Sequence, residues 1–391
     1  MTYTDKSRPA RSGMLRVVAA AASAAGLLLT VAVAGPAHAI VSQAPAPAPT
    51  FNGTVWATAY AGNVIYVGGD FTAATVGTKS YPRTRLAAIN AATGALLSWA
   101  PTADAQVKTI ATAGGSVYVA GQFTTVNGAK RDSLARLDGT SGALHATFKH
   151  SVSGKPYALA AGSGRLYLGG SITAVNGQTR SRLAAFNLTT GVLDTGWKPA
   201  ADDQVETLAA TSTRVYVGGK FHKINGTSGS ARIAAVSPTS GSVLGSFKPK
   251  AAYITFGVAV TDTAVYAAHG GQGGRVAAYD LAGGLKWTLT MDGDPQAVAV
   301  LGGTVYIGGH FDNVCRSSRT GDQGLCLDGN IRRVKLLAAE TDGSVLPWTA
   351  NGNGVTGVHT MAADAGLGQI AAGGAFTTIN EVSRRRLALF G

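Results

Sequence analysis

Apolar positions from Val55 to Gly391 fall in short strand-length runs, and none keeps the three-to-four spacing of an amphipathic helix. The runs recur as a unit of roughly fifty residues. Each unit reads as an apolar strand, a V-Y-V-G-G-x-F strand, an R-L-A-A-x-N strand, a Thr-Gly step, and an outer strand ending in Trp or Phe. Gly68-Gly69, Ala120-Gly121, Gly169-Gly170, Gly218-Gly219, Gly308-Gly309 and Gly373-Gly374 mark six units. Val265-Tyr266-Ala267-Ala268 marks a degenerate one between the fourth and fifth of these. A unit of this kind cannot bury its apolar face alone, so neighbours must stack, and closing the row removes its open ends. The pattern predicts an all-β, seven-bladed β-propeller with four-stranded antiparallel blades over residues 51–391. An open solenoid would need polar end repeats, which this chain lacks.

The second unit shows the logic. Val107 to Ala113 forms the innermost strand, Gly114-Gly115 turns, Val117 to Val119 is strand two, Asn127-Gly128 turns, and Leu134 to Leu137 is strand three. Ala143 to Phe148 is the outer strand. Asn-Gly supplies the positive φ that tight hairpins demand, and recurs at Asn176-Gly177 and Asn225-Gly226. Asn90, Asp138, Asn187 and Asp280 open the following turn, where a short polar side chain caps backbone N–H groups. The repeated Tyr66, Tyr118, Tyr167, Tyr216, Tyr266 and Tyr306, and the Trp or Phe closing the outer strand, are packing residues, because one ligand cannot touch every copy. Arg85, Arg182, Arg232, Arg275, Lys335 and Arg386 recur just before strand three. They either grip a polyanion as a ring or brace a neighbouring loop.

Composition fits a sheet protein: Gly is 53 of 391 residues and only 14% are charged. Residues 1–39 read as a signal peptide: Lys6, Arg8, Arg11 and Arg16 precede an apolar run from Val17 to Ala34, and Ala37-His38-Ala39 supplies a cleavage site. Export, to the medium or the cell wall, follows, with no stable membrane insertion once the leader is removed. The formal charge of +13 favours anionic polymers or the envelope. The cations are dispersed with no aromatic-interleaved block, which argues against nucleic acid. Cys315 and Cys326 are the only cysteines and, in an oxidising compartment, form a disulfide.

The last unit stops at the end of its third strand, and the Pro/Ala-rich segment 40–50 precedes the first innermost strand. Ile40 to Pro49 has the register of an outer strand, so it either pairs into the last blade and closes the ring or is a flexible linker. Its Pro45, Pro47 and Pro49 suit only an edge.

The stretch Val117 to Phe148, with its V-Y-V-A-G-Q-F-T-T-V-N-G core, resembles the delta-60 type β-propeller repeat of bacterial extracellular proteins. The resemblance covers nearly all of the chain after the leader. It implies a propeller and export, and it carries no established reaction or catalytic residue. The chain departs from it in the fifth unit, which lacks G-G-x-F and Asn-Gly, and in the sixth, which carries the cysteine insertion. Asn90 to Trp99 and Asn187 to Trp197 are also similar to the tryptophan-docking repeats of pyrroloquinoline-quinone propellers. Those enzymes carry a vicinal cysteine pair, and Cys315 and Cys326 are not adjacent, so no quinone cofactor is expected.

Positions equal in all units serve the fold, and one that differs in every unit near the axis is free to serve a ligand. The second residue of the innermost strand is such a position: Trp56, Lys108, Tyr157, Glu206, Phe256, Gln296 and His359. Rings for stacking beside polar groups for orientation suit a sugar or peptide, so a cell-wall glycan or protein is the expected partner. The rival reading is an unconstrained rim. Loops on the same face carry Asp104, Asp202, Asp203, Asp292 and Asp294, which would hold calcium if several converged. In the sixth unit Cys315 to Arg333 is expected to fold over the gap above the short fifth unit as a lid or partner contact, with Arg316, Arg319, Arg332 and Arg333. Function divides into three classes: a non-enzymatic exported binding module, a polysaccharide hydrolase or lyase using Glu206, His359 and Lys108, and a structural envelope spacer. No H-E-x-x-H or G-x-S-x-G motif supports the second.

Overall fold

The computed structural model describes residues 40–271 and 273–391, so the leader expected over 1–39 lies outside the described residues. Among those described there is no α-helix, only one short 3-10 turn at Asp322–Gly324. No helix among them is long and apolar enough to cross a membrane.

Among the described residues the strands form twelve antiparallel sheets, and seven of these, each of three or four strands, follow one another as the main row. Their first strands are Val55–Ala61, Val107–Ala113, Pro156–Gly162, Val205–Ala210, Ile254–Val260, Pro295–Leu301 and Val358–Asp364. Each first strand packs beside the first strand of the next sheet, and the seventh packs beside the first, so the row closes on itself. This is the arrangement of a propeller.

The structure explains the Gly-Gly step. A Cβ on the first glycine would strike the β-branched residue that opens the next sheet: Gly169 meets Val205 Cγ1 at 2.6 Å and Gly373 meets Val55 Cγ1 at 2.4 Å. A Cβ on the second would strike a carbonyl of its own sheet's entry loop, as Gly121 does Gln106 O at 2.0 Å. One glycine therefore lets sheets stack and the other lets the loop cross. Asn127 and Gly128 take φ of 49° and 73°, the left-handed pair expected of the hairpin they turn.

The repeated aromatics weld neighbouring sheets. Tyr66 and Trp99 meet edge to face at 5.1 Å, and both donate into the turn of the second sheet, Tyr66 Oη to Gly139 O (2.7 Å) and Trp99 Nε1 to Asp138 O (3.0 Å). Tyr167 and Trp197 repeat the arrangement toward Pro238 O and Ser237 O. Buried and hydrogen-bonded at both ends, these side chains are fold residues.

Regular four-stranded sheets are not what forms. Among the described residues only the fifth of these sheets carries a full fourth strand, Leu285–Thr290. Elsewhere the outer run is reduced to one bridge, as Ile89 with Leu96, Leu137 with Leu144 and Phe186 with Leu193. The reason is a set of arginines that takes over the outer carbonyls. Arg83, Arg131, Arg180 and Arg333 donate Nη2 to Leu97 O, His145 O, Asp194 O and Leu346 O, so the chain is held by side chains where a ladder would continue.

Segment 40–49 lies along the seventh sheet. Ser42 N donates to Gly391 O (3.1 Å) and Ala46 N to Leu389 O (2.8 Å), while Val41 is buried and bonded through both backbone groups, its N to Tyr306 Oη (3.1 Å) and its O to Trp348 Nε1 (3.0 Å). Val41 thus receives from Trp348 the bond that other sheets' tryptophans give to the next turn.

Cys315 and Cys326 form a disulfide. Its loop reaches the fifth sheet's short turn, where Gly324 sits against Gly273 and Asp292. Arg319 pairs with Asp328 at 2.8 Å, and Arg333 is occupied by the carbonyls of Arg332 and Leu346.

Candidate functional site

Each first strand breaks register once near its start, after the first residue in six sheets and after the second in the fifth, where Phe256 is the third residue of the strand: between Val55 and Ala57, Val107 and Thr109, Pro156 and Ala158, Val205 and Thr207, Thr255 and Gly257, Pro295 and Ala297, and Val358 and Thr360. The skipped residues are Trp56, Lys108, Tyr157, Glu206, Phe256, Gln296 and His359. A bulge bends its strand and re-aims the unpaired side chain. The residue before each is buried, anchoring the strand against the neighbouring sheet. All seven skipped residues line one cavity of about 420 Å³. Below them each sheet contributes Ala, Thr or Gly, and below that an apolar floor is built from Ile110, Leu159, Leu208, Val258, Val298 and Met361. The cavity is a polar and aromatic mouth over a mostly apolar base, to which the first sheet adds Thr58.

One side of the mouth is interlocked. The Trp56 ring stacks on His359 at 4.1 Å, and Lys108 Nζ stands 3.8 Å from the indole centre. These partners come from the sheets on either side, so both indole faces are covered. Trp56 Nε1 donates to Asp70 Oδ2 (2.6 Å), Gln106 Nε2 reaches the same oxygen (3.3 Å), and His359 Nδ1 lies 2.5 Å from Gln296 Oε1. Across the mouth Glu206 Oε1 accepts from Gln204 Nε2 (2.5 Å) and pairs with Lys220 Nζ at 3.5 Å. Tyr157 and Phe256 are half-buried in the lining and held by neither network.

Burial lowers the Lys108 ammonium to about 8, although Glu206 and Asp70 pull the other way. Burial, with help from the charges of Lys108 and His310, lowers His359 to about 4. At pH 7 the mouth therefore holds a charged lysine and a neutral imidazole. A buried lysine charge is a burden below its folded pKa that vanishes as pH passes its unfolded pKa of about 10.4. Lys108→Met is expected to raise unfolding stability at pH 7 by roughly 2 kcal/mol, screening included. Urea unfolding at pH 7 and pH 10.5 checks this, since the gain should shrink at the higher pH.

Sequence reasoning missed Asp70, Gln106, Gln204 and Lys220, which position the mouth residues. A signal existed: the x of G-G-x-F reads Asp70, Gln122, Ser171, Lys220, His310 and Ala375, differing in every unit. The aspartates expected to converge on calcium brace loops. Asp104 accepts from the N–H groups of Thr124 and Thr125, Asp202 from those of His222 and Lys223, and Asp292 from those of Asp312 and Asn313. Asp294 accepts from Gly271 N, and Asp203 from Gln204 N. Among the described residues no group of three or more His, Cys, Asp or Glu side chains is placed to hold a metal ion. The cation ring is likewise turned inward: Arg85, Arg182, Arg232 and Arg386 donate to Asp70 O, Ile172 O, Lys220 O and Ala375 O, and Lys335 Nζ pairs with Asp312 at 2.7 Å. No residue of the disulfide loop lines the mouth.

Comparison with known proteins agrees on the architecture. A family model described as a domain of unknown function (DUF5122) β-propeller matches residues 115–148 and 162–196, within the second and third units. The chain is similar to the WD40 β-propeller domain of Doa1, with a TM-score of 0.55 and 10% identity over 89% of this chain and 96% of that one. It is similar to U3-55K with a TM-score of 0.58 and 12% identity, over 89% of this chain and 99% of that one. At these identities the likeness is one of fold alone. No curated protein matches.

Proposed function

We propose that this chain is an exported, non-enzymatic, seven-bladed propeller of the delta-60 type that binds a glycan of the cell envelope at the channel mouth. The observation that carries this reading is the set of bulges: every sheet turns a residue that varies from unit to unit into the same cavity. A device repeated seven times to present unlike side chains is what recognition requires, whereas packing would reuse one residue type. Tyr157 and Phe256 offer uncommitted ring surface, with the Glu206 carboxylate between them in chain order to fix hydroxyl groups. The buried Lys108 charge is a stability burden that packing alone would not retain. The basic leader, the disulfide and the ring-closing contacts of segment 40–49 support an exported, self-contained module.

The three groups that a hydrolase would use are already engaged: His359 by Trp56 and Gln296, Lys108 by the indole face, and Glu206 by Gln204 and Lys220. This supports binding over acid–base chemistry.

A glycan array followed by titration of the best hit tests the reading. Tyr157→Ala should weaken binding roughly tenfold or more while leaving the melting temperature unchanged. Trp56→Ala should lower both, because it dismantles the stack between Lys108 and His359. Binding untouched by Tyr157→Ala and Phe256→Ala would sink the proposal, and turnover of a polysaccharide lost in Glu206→Gln would replace it with the enzyme. Tolerance of every mouth substitution, with no ligand, would leave a structural spacer.

A further inference from the structure

The fifth sheet departs from its neighbours in one connected way. Elsewhere the cation before the third strand is held by the stretch following the Gly-Gly step: Arg85 by Asp70 O, Arg232 by Lys220 O, Arg386 by Ala375 O, Lys335 by Asp312. In the fifth unit that stretch is cut short, Arg275 following Tyr266 by 9 residues where Arg232 follows Tyr216 by 16. Among the described residues the Arg275 guanidinium has no hydrogen-bond acceptor, and its Nε is buried without a partner. It lies instead over the Tyr253 ring, its Cζ 3.8 Å from the ring centre.

The missing stretch also carried the phenylalanine that fills the angle to the preceding sheet, as Phe71, Phe123, Phe221, Phe311 and Phe376 do, all buried. Gly271 stands in its place. The Tyr253 ring lies against Gly271, where a Cβ would meet its Cδ1 at 3.0 Å. Beside it is a cavity of about 510 Å³, lined by Lys248, Lys250, Tyr253, Arg275, His269 and Tyr279 among others, with no carboxylate in its lining. Its floor is internally satisfied: His269 Nδ1 lies 3.0 Å from Thr255 Oγ1 and Nε2 lies 3.1 Å from Tyr279 Oη. Nearby Asp280 is occupied by the N–H groups of Ala282 and Gly284, and Asp294 by that of Gly271.

We propose that this cavity is a second binding site, separate from the channel mouth, for an acidic sugar. Tyr253 covers one face of the guanidinium and fixes its plane, leaving the N–H edge for a carboxylate to accept bidentately. Lys248 and Lys250, both exposed, add charge at the opening. The volume is that of an organic ligand rather than a bare ion, and the tyrosine rings give a sugar ring a surface to lie on.

Calorimetric titration with a galacturonate tetramer tests it, alongside a neutral cellotetraose, a tetraglutamate peptide and inorganic phosphate. The uronate should bind and the neutral tetramer should not. Arg275→Gln should weaken uronate binding at least tenfold, as loss of one charge-assisted bidentate contact implies. The Lys248→Gln/Lys250→Gln double variant, changed only at exposed positions, should weaken it similarly without altering the melt. Tyr157→Ala should leave it unchanged, so failure here and failure at the channel mouth are distinguishable. Absence of uronate binding, indifference to both sets of variants, or loss in Tyr157→Ala would overturn the site. Equal binding of tetraglutamate or phosphate would overturn the sugar assignment.

Discussion

A chain beginning at Phe51 should be roughly 5 kcal/mol less stable than one beginning at Ile40, and should aggregate as it loses its native form. The removed segment buries Val41, worth about 2 kcal/mol. It also makes hydrogen bonds, among them Ser42 to Gly391, Ala46 to Leu389, and Val41 to both Tyr306 and Trp348, together worth about 3 kcal/mol after the cost of ordering the segment. Trp348 would lose the acceptor for its indole N–H while still packed on Phe390 at 5.3 Å. The freed edge of Leu387–Phe390 would present unpaired N–H and C=O groups to other chains. Urea unfolding and size-exclusion chromatography of the two chains decide the matter. Equal midpoints and a monomeric short form would show that the segment is a passive linker.

Acidification from pH 7 to pH 4 is the second large effect expected. His269 is 2% exposed, and burial first, then the Arg275 charge, lowers it to about 4; His359 is lowered to about 4 at the mouth. In the unfolded chain each imidazole titrates near 6.5, so between the two values the unfolded state binds more protons. Stability is intact above about pH 6.5 and is lost as pH falls toward 4, by about 3 kcal/mol for each histidine. Urea midpoints measured at pH 7, 5.5 and 4 should fall steeply for the native chain. His269→Gln and His359→Gln should each flatten part of that fall, because a neutral amide has no proton to take up. Variants whose midpoints track the native chain at all three pH values would refute this assignment.

Both effects come from places where the repeat is broken, which bears on how far the chain was legible. The Gly-Gly steps, Asn-Gly hairpins and repeated Tyr and Trp or Phe were readable because each meets a local steric or packing demand that recurs at fixed spacing. The seven mouth residues were readable for the opposite reason, as the position where the repeat declines to repeat. The supporting Asp70, Gln106, Gln204 and Lys220 went unread because their partners are set by side-chain directions, mostly between the first strand and the end of the second within one sheet. The bracing arginines were half-read: their recurrence was visible, but whether a guanidinium reaches outward to a ligand or inward to a carbonyl depends on loop paths. The loop aspartates were half-read in the same way, since a carboxylate facing backbone N–H groups and one facing a cation look alike in sequence.

By itself, then, the order of residues determined an all-β chain of stacked sheets, the disulfide pair, and which position varies from unit to unit near the start of each innermost strand, because periodic sterics are local and additive. Only the tertiary structure decided that a bulge aims those positions into one cavity, that Trp56 is sandwiched while Tyr157 and Phe256 are not, and that a basic pocket forms between the fifth sheet and the segment leading into it. Those outcomes depend on what stands opposite a side chain across the sheet stack, and the residues that meet there are far apart along the chain.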